Sequence, residues 1–281
     1  MMSFTLRELA RAVDAIEEAV QALHSRLHPP AFVHLKGHTP AFRHDQRDYI
    51  LMSHLKCVRS VSLLHAGIAL LANGFYQEVG ILCRCLSESF EDVLFLATPL
   101  GEDGKPSKAQ MQLVEEFFQE EFEDPSKPVG TQQKRQRVPR DQVLAGMARI
   151  DGNPLNASDG KELTRMLHMG KSGYVHGAYP HIMELFSASP DKNGEPDVAN
   201  GRFAMSGRMP GQRTSEMLDA LASAGHNTAI ATCVGAKRLG DKAVEEKLGV
   251  IITALAAATA SDQIGNPNDA IKKLKRGESL G

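Results

Sequence analysis

Apolar residues recur along the first thirty residues at the spacing of an amphipathic helix. Intervals of three and four residues separate Leu6, Leu9, Val13, Ile16, Val20, Leu23 and Leu27. This spacing forms an apolar stripe of the kind that packs against neighbouring helices. Thr5 and Glu8 predict a capping box at its start, and His28-Pro29-Pro30 predicts its end. Residues 1–30 are therefore predicted to form a coiled-coil-like helix.

Two longer helical patterns follow a loop that is predicted for residues 31–43. They cover residues 43–73 and 75–97, with Asn73-Gly74 between them. Two helices joined by so short a turn form an antiparallel hairpin. Shorter helices are predicted over 109–123, with Ser107 and Gln110 as its cap, over 141–150 and over 158–169.

Glycine and proline are concentrated in residues 187–213, which are predicted to be irregular apart from a lone short strand at 202–206. Beyond this segment, helices are predicted over 214–239 and 241–261, and a last one from Asn266-Pro267.

The whole pattern is typical of an all-α protein, an antiparallel helical bundle with long helices, a Gly/Pro-rich insertion and at most one short strand pair. We predict a single helical domain over 1–281. Its parts are the N-terminal helix 1–30, a core bundle 43–186, the irregular segment 187–213 and C-terminal helices 214–276.

Composition narrows the function classes without naming one. Hydrophobic residues make up 42% and charged residues 23%, and the net charge is −2. These values exclude a disordered chain, and also a general nucleic-acid coat protein, which would carry a large basic excess. The N-terminus lacks the basic and apolar regions of a signal peptide, and the four cysteines form no CxxC motif. We therefore expect a cytoplasmic protein that does not enter a membrane.

The strong catalytic motifs are missing from the chain. It contains no GxGxxG, P-loop, HExxH, GxSxG or paired CxxC sequence. Their absence lowers the expectation of a dinucleotide enzyme, a P-loop NTPase, a zinc protease or an α/β-hydrolase. No cofactor is predicted.

One informative motif lies in the helix predicted over 75–97. Arg84 and Glu88 are four residues apart, so they share a helix face and can form an ion pair. Their neighbours are mostly apolar, and a charge in such a place needs a partner. The pair is either a structural ion pair at the edge of the core or part of a functional site.

A second informative segment runs from Lys171 to His181. It holds two histidines and two of the four tyrosines, among glycines that allow close approach of backbone or ligand. Histidine is the commonest general base, so Tyr174 and His176 indicate acid/base chemistry. The other interpretation is a tight corner with hydrogen-bonded histidine and tyrosine side chains.

Two further groups carry weaker hypotheses. A carboxylate–histidine metal cluster could form from His65, Glu88, Glu91, His176, His181 and Glu184, although the Glu-x-x-His pairs of di-metal bundles are absent. The basic run 134–140 and the basic tail 272–276 are typical of solvated charge, and would hold phosphates if they lay together.

With both motifs present, the chain resembles a group of uncharacterised bacterial all-helical proteins in which an Arg-x-x-x-Glu helix precedes a Tyr-x-His segment. That group is similar to HEPN-like and abortive-infection-type proteins. The resemblance covers about residues 45–240 and extends through Arg208-Met-Pro-Gly-Gln-Arg213.

The resemblance implies a homodimeric, metal-independent endoribonuclease of a stress or phage-defence system. His176 would be the acid/base, Arg84 and Lys171 the phosphate ligands, Glu88 the residue that orients Arg84, and Tyr174 a hydrogen-bond donor. Those ribonucleases carry Arg-x4–6-His, whereas Lys171 stands five residues before His176 here. Lysine lacks the bidentate geometry of arginine, which Arg84 could supply from the neighbouring helix.

Two alternatives belong to other function classes. One is a non-catalytic helical module that binds a nucleotide or a protein partner. The other is a metal-dependent helical-bundle hydrolase.

Overall fold

The computed structural model describes residues 4–34, 40–97, 101, 105–119, 137–147, 157–205 and 212–259. The helices in these ranges are α1 Leu6–His24, α2 Tyr49–Ala72, α3 Tyr76–Ala97, α4 Lys108–Phe118, α5 Arg140–Met147, α6 Ala157–His176, α7 Tyr179–Met183, α8 Gln212–Arg238 and α9 Lys242–Thr259. The strands are β1 Ala31–Val33, β2 Ala41–Arg43, β3 Phe186–Ser187 and β4 Arg202–Phe203. The all-α class is confirmed.

The caps predicted from sequence are present at two helix starts. In α1, the Thr5 side chain accepts from the backbone N–H of Glu8, and the Glu8 carboxylate accepts from the N–H of Thr5. Ser107 and Gln110 form the same reciprocal pair before α4. Each box satisfies backbone donors that a helix start leaves without partners.

The core lies between α1, α2, α3, α8 and α9. The apolar stripe of α1 is buried against α2, α8 and α9, while α2 and α3 form the antiparallel hairpin and both pack on α8. A second apolar cluster joins α2 and α3 to α4 and α5. It consists of Met52, Phe95, Leu96, Leu113, Val114 and Val143.

The central helix α2 is long and apolar enough to cross a membrane, with a mean hydropathy of 1.5 over its most apolar 18 residues. In the bundle it is surrounded by α1, α3, α4 and α8. A core helix in that position passes the same test of length and composition as a membrane span.

The prediction of a loop over residues 31–43 is wrong at its two ends, which pair as the antiparallel strands β1 and β2. Phe32 lies opposite Phe42, and their rings are 5.2 Å apart. Cross-strand aromatic pairs of this kind stabilise short hairpins. The sequence signal was a phenylalanine at the centre of each of two triplets, Ala31-Phe32-Val33 and Ala41-Phe42-Arg43.

A second strand pair exceeds the single pair that the sequence predicted. The strand predicted at 202–206 is present as β4, but it pairs with β3 instead of standing alone. Farther along, Gly240 adopts a φ of +68° between α8 and α9, a conformation that favours glycine. The helix predicted from Asn266-Pro267 lies outside the described residues.

Candidate functional site

Helix α6 runs antiparallel across α3, and its contacts repeat every three residues. The helix predicted over 158–169 continues to His176, and the chain then turns at Gly177, which has a φ of +59°, into α7. Three residues of α6 meet α3 in succession: His168 contacts Glu91, Lys171 contacts Ser87 and Tyr174 contacts Gly80. This face brings both sequence motifs to one helix–helix interface.

The ion pair predicted between Arg84 and Glu88 is present. Nη2 of Arg84 lies 2.7 Å from Oε1 of Glu88, whose side chain is 44% exposed. The guanidinium is more enclosed, with 19% of the side chain exposed. Its Nη1 is buried and has no hydrogen-bond partner among the residues that the structure describes. Arg84 therefore keeps an unused donor beside the interface with α6, which costs free energy in a purely structural pair.

Lys171 reaches the same place from α6. Its Nζ donates to Oγ of Ser87 at 2.9 Å. Burial lowers the pKa of Lys171 below its ordinary value, Cys83 and Glu91 act in the opposite direction, and the Arg84 charge adds to the lowering. An ammonium held in a poorly solvated position next to another cation gains more than an exposed one from an added anion.

We refer to Arg84, Ser87, Glu88 and Lys171 as the helix-interface site. It holds two cations, and its one carboxylate is half exposed. Nη1 of Arg84 and the ammonium of Lys171 are the two donors that a phosphate could use there, because the Ser87 hydroxyl already donates to the carbonyl of Cys83. Charge-assisted hydrogen bonds from arginine and lysine are the usual means of phosphate recognition in proteins.

Tyr174 lies one turn beyond Lys171 on the same face. Its ring packs over Gly80, its hydroxyl is 3.3 Å from Oε2 of Glu184, and the His181 ring contacts it edge-on at 4.3 Å. The close approach needs a glycine, because a Cβ at position 80 would be 2.7 Å from Cδ2 of Tyr174. Tyr174 thus belongs to a packed tyrosine–histidine corner next to the helix-interface site.

His176 is placed differently from the other candidates. It is the last residue of α6, it is exposed, and it forms no hydrogen bond or ion pair with any residue that the structure describes. Two residues of helix turn it about 200° from Tyr174, away from the face that packs on α3. The structure therefore groups Arg84, Glu88 and Lys171, with Tyr174 beside them, and leaves His176 on the outer surface.

Next to this site lies a buried charge network that sequence reasoning missed. Glu91 and Asp92 are 4% and 5% exposed, and Arg140 of α5 bridges them. Glu91 also accepts from His168 at 2.5 Å, and Asp92 pairs with Lys56 of α2 at 2.8 Å. Two buried carboxylates are thereby matched by groups from three other helices, as buried charges require.

Arg140 corrects one expectation from the sequence. The sequence predicts solvated charge for the basic run 134–140, and the Arg137 side chain is indeed 79% exposed. Arg140 instead lies over α3, where burial opposes its charge but Asp92 and Glu91 raise its pKa above the ordinary value. The available signal was the adjacent acidic pair Glu91-Asp92 between the apolar residues Phe90 and Val93, because carboxylates in apolar surroundings require cationic partners. Residues 134–136 and the basic tail lie outside the described residues.

The residues named for a metal cluster are dispersed among separate contacts. His65 pairs with Glu17, Glu91 with His168, and Glu184 with Tyr174. Within the described ranges, no group of three or more histidine, cysteine or acidic side chains is arranged to hold a metal ion.

Comparison with known proteins does not extend this picture. No protein-family model, curated protein or solved structure matches the chain.

Proposed function

We propose that this protein binds a phosphate group of RNA or of a nucleotide at the helix-interface site. One observation carries the proposal: the buried Nη1 of Arg84 has no acceptor among the described residues, and Arg84 is near enough to the poorly solvated Lys171 for its charge to lower the pKa of that ammonium. A purely structural ion pair between Arg84 and Glu88 requires neither a second cation nor a buried donor without an acceptor. A bound phosphate supplies an acceptor to Nη1 of Arg84 and an anionic partner to Lys171.

Binding of a fluorescein-labelled single-stranded RNA, measured by anisotropy at several salt concentrations, tests this proposal. Lys171→Met is the main variant, because methionine replaces the ammonium in its partly buried position without leaving an unpaired charge. We expect affinity to fall about tenfold, the loss of one charge-assisted contact. The slope of log K against log salt should become shallower by about 0.7.

Lys247→Gln is the matched control. It also removes one positive charge, but Lys247 lies on α9 and pairs with Glu18 of α1 at 2.5 Å. Equal affinities for Lys171→Met and Lys247→Gln would reject the helix-interface site. Thermal unfolding of Lys171→Met is a second readout, with stability expected to equal or exceed that of the wild type because a poorly solvated charge is removed.

Metal-independent RNA cleavage is the second candidate function. The exposed imidazole of His176, without a described partner, supports it. In this proposal, Arg84, oriented by Glu88, and Lys171 hold one phosphate of the RNA, and Tyr174 donates a hydrogen bond. Because His176 faces outward, it acts as acid/base on a neighbouring nucleotide of the same strand and not at the phosphate that Arg84 and Lys171 hold. Incubation of mixed RNA with protein and EDTA should give cleavage that His176→Ala abolishes. RNA that stays intact with the wild type rejects cleavage and leaves binding standing.

A homodimer also stays a proposal, and an exposed apolar surface supports it. Helices α6 and α7 carry side chains that are 36–76% exposed. They are Met166, Met169, Val175, Tyr179, Ile182 and Met183. A second copy that covered this surface would remove it from water. Light scattering should then give the dimer mass for the wild type and the monomer mass for Met169→Glu; a monomeric wild type rejects the dimer.

A further inference from the structure

A cleft at the opposite end of α2 from the turn at Gly74 has no part in the site above. It has a volume of about 280 Å³. Its described lining comes from the β1–β2 hairpin, the start of α2 and the end of α4. The lining residues are Pro30, Phe42, Arg43, His44, Arg47, Leu55, Phe117 and Phe118. We call it the hairpin cleft.

The walls of the hairpin cleft are aromatic. Phe42 lines it from strand β2, and Phe117 and Phe118 line it from the last turn of α4. Phe42 is 66% exposed, and its cross-strand neighbour Phe32 is 58% exposed. Large apolar side chains left in water at a concave surface are typical of a binding site. Rings on separate elements provide flat surfaces for a planar ring system.

The rim of the cleft is cationic. Arg43, His44 and Arg47 line it, and its described lining includes no carboxylate. Arg47 is exposed and makes no hydrogen bond or ion pair with any described residue. The nearby carboxylate of Asp48 accepts from the backbone N–H groups of Ile50 and Leu51, so it is committed to capping α2. The guanidinium of Arg47 is therefore available to an anion.

Aromatic walls and a cationic rim fit a ligand with a planar ring at one end and an anionic group at the other. The volume lies just below the range of roughly 300–1,000 Å³ that is typical of small-molecule sites, so the cleft fits one compact ligand and not a long chain. We propose that the hairpin cleft binds a nucleoside monophosphate, with the base against Phe42, Phe117 and Phe118 and the phosphate at Arg47 and Arg43. Base–aromatic stacking and arginine–phosphate contacts are the two interactions that such a ligand requires.

Titration calorimetry with AMP, GMP, CMP and UMP on the full chain tests this proposal. At least one nucleotide should bind. Its affinity should fall about tenfold in Arg47→Gln, the loss of one charge-assisted contact. Phe117→Leu should weaken binding as well, with thermal unfolding recorded to confirm that the variant folds. Arg7→Gln is the matched control, because Arg7 is an exposed arginine of α1 far from the cleft. It lies about 25 Å along the helix from His24, whose ring is 6.4 Å from that of His44 in the cleft.

Titrations with parts of the ligand show whether base and phosphate both contribute to binding. Titrations of the variants distinguish the hairpin cleft from the helix-interface site. The nucleoside alone and inorganic phosphate alone should each bind more weakly than the nucleotide. Absence of nucleotide binding, or equal binding by Arg47→Gln and Arg7→Gln, overturns the proposal. Binding that Lys171→Met abolishes and Arg47→Gln preserves also overturns it, while it supports the helix-interface site. Binding of an RNA oligomer at Arg47 without binding of free nucleotides would overturn the choice of ligand.

Discussion

Acidification is expected to destabilise the fold through His54, a histidine of α2 that is only 6% exposed. Its ring stacks on that of His24 with 5.3 Å between centroids, and its Nε2 lies 3.2 Å from Nδ1 of His24. The ring of His44 lies 6.4 Å from that of His24. Burial first, then the charges of His24 and His44, lower the pKa of His54 from 6.5 to about 4.

The size of the effect follows from the two pKa values. Because the unfolded chain binds the proton more tightly than the folded protein, protonation favours unfolding. The contribution of neutral His54 to stability is fully present above pH 6.5 and is lost as the pH falls toward 4. The gap of about 2.5 between the pKa values corresponds to a total loss of about 3 kcal/mol, of which about 2 kcal/mol is lost by pH 5.

Urea unfolding followed by far-ultraviolet circular dichroism measures this loss at pH 7.5, 6 and 5. His54→Gln keeps a polar side chain of similar size but cannot be protonated. We expect the wild type to lose about 2 kcal/mol more than His54→Gln between pH 7.5 and 5. His34→Gln is the control, because His34 is exposed on the hairpin and should leave the wild-type pH dependence unchanged.

Equal losses in the wild type and His54→Gln would refute the reasoning. They would mean that His54 is solvated enough to be protonated in the folded protein near its ordinary pKa. A lower absolute stability of His54→Gln would not matter, since the comparison rests on the change with pH within each variant.

Two other predictions concern the surroundings of the helix-interface site. Gly80→Ala should lower stability by about 1–3 kcal/mol, because the new Cβ would overlap the Tyr174 ring. Gly249→Ala is the control, because a Cβ there meets open space, and this change should be neutral or stabilising. Thermal unfolding compares the two variants, and equal stability would contradict the packing of Tyr174 on Gly80. Arg140→Met should cost about 3–5 kcal/mol at pH 7 by leaving two buried carboxylates without their main partner. Arg137→Met at an exposed site should cost little. Urea unfolding compares the two variants, and a small loss for Arg140→Met would show that the carboxylates remain solvated.

The long helices could be predicted because their signals are local. The apolar spacing of α1 and the capping pair Thr5 and Glu8 act within one or two turns, so the sequence contains the whole cause. The same holds for the Arg84–Glu88 ion pair, whose residues are one helical turn apart. The β1–β2 hairpin was missed because three-residue strands offer too short a pattern, and their stability comes from pairing across the turn.

Sequence alone thus determined the all-α class, the long helices and the pair on α3, all of which depend on neighbours within a few residues. Only the tertiary structure decided which charges meet. Arg140 and Asp92 are 48 residues apart, and Lys171 and Ser87 are 84 apart, so neither pairing has a local signal. The crossing of α6 over α3 buries Lys171 beside Arg84 and turns His176 outward, because a helix presents only one side to its neighbour. The crossing therefore separates His176 from the helix-interface site, although Lys171 of that site lies close to it in the sequence.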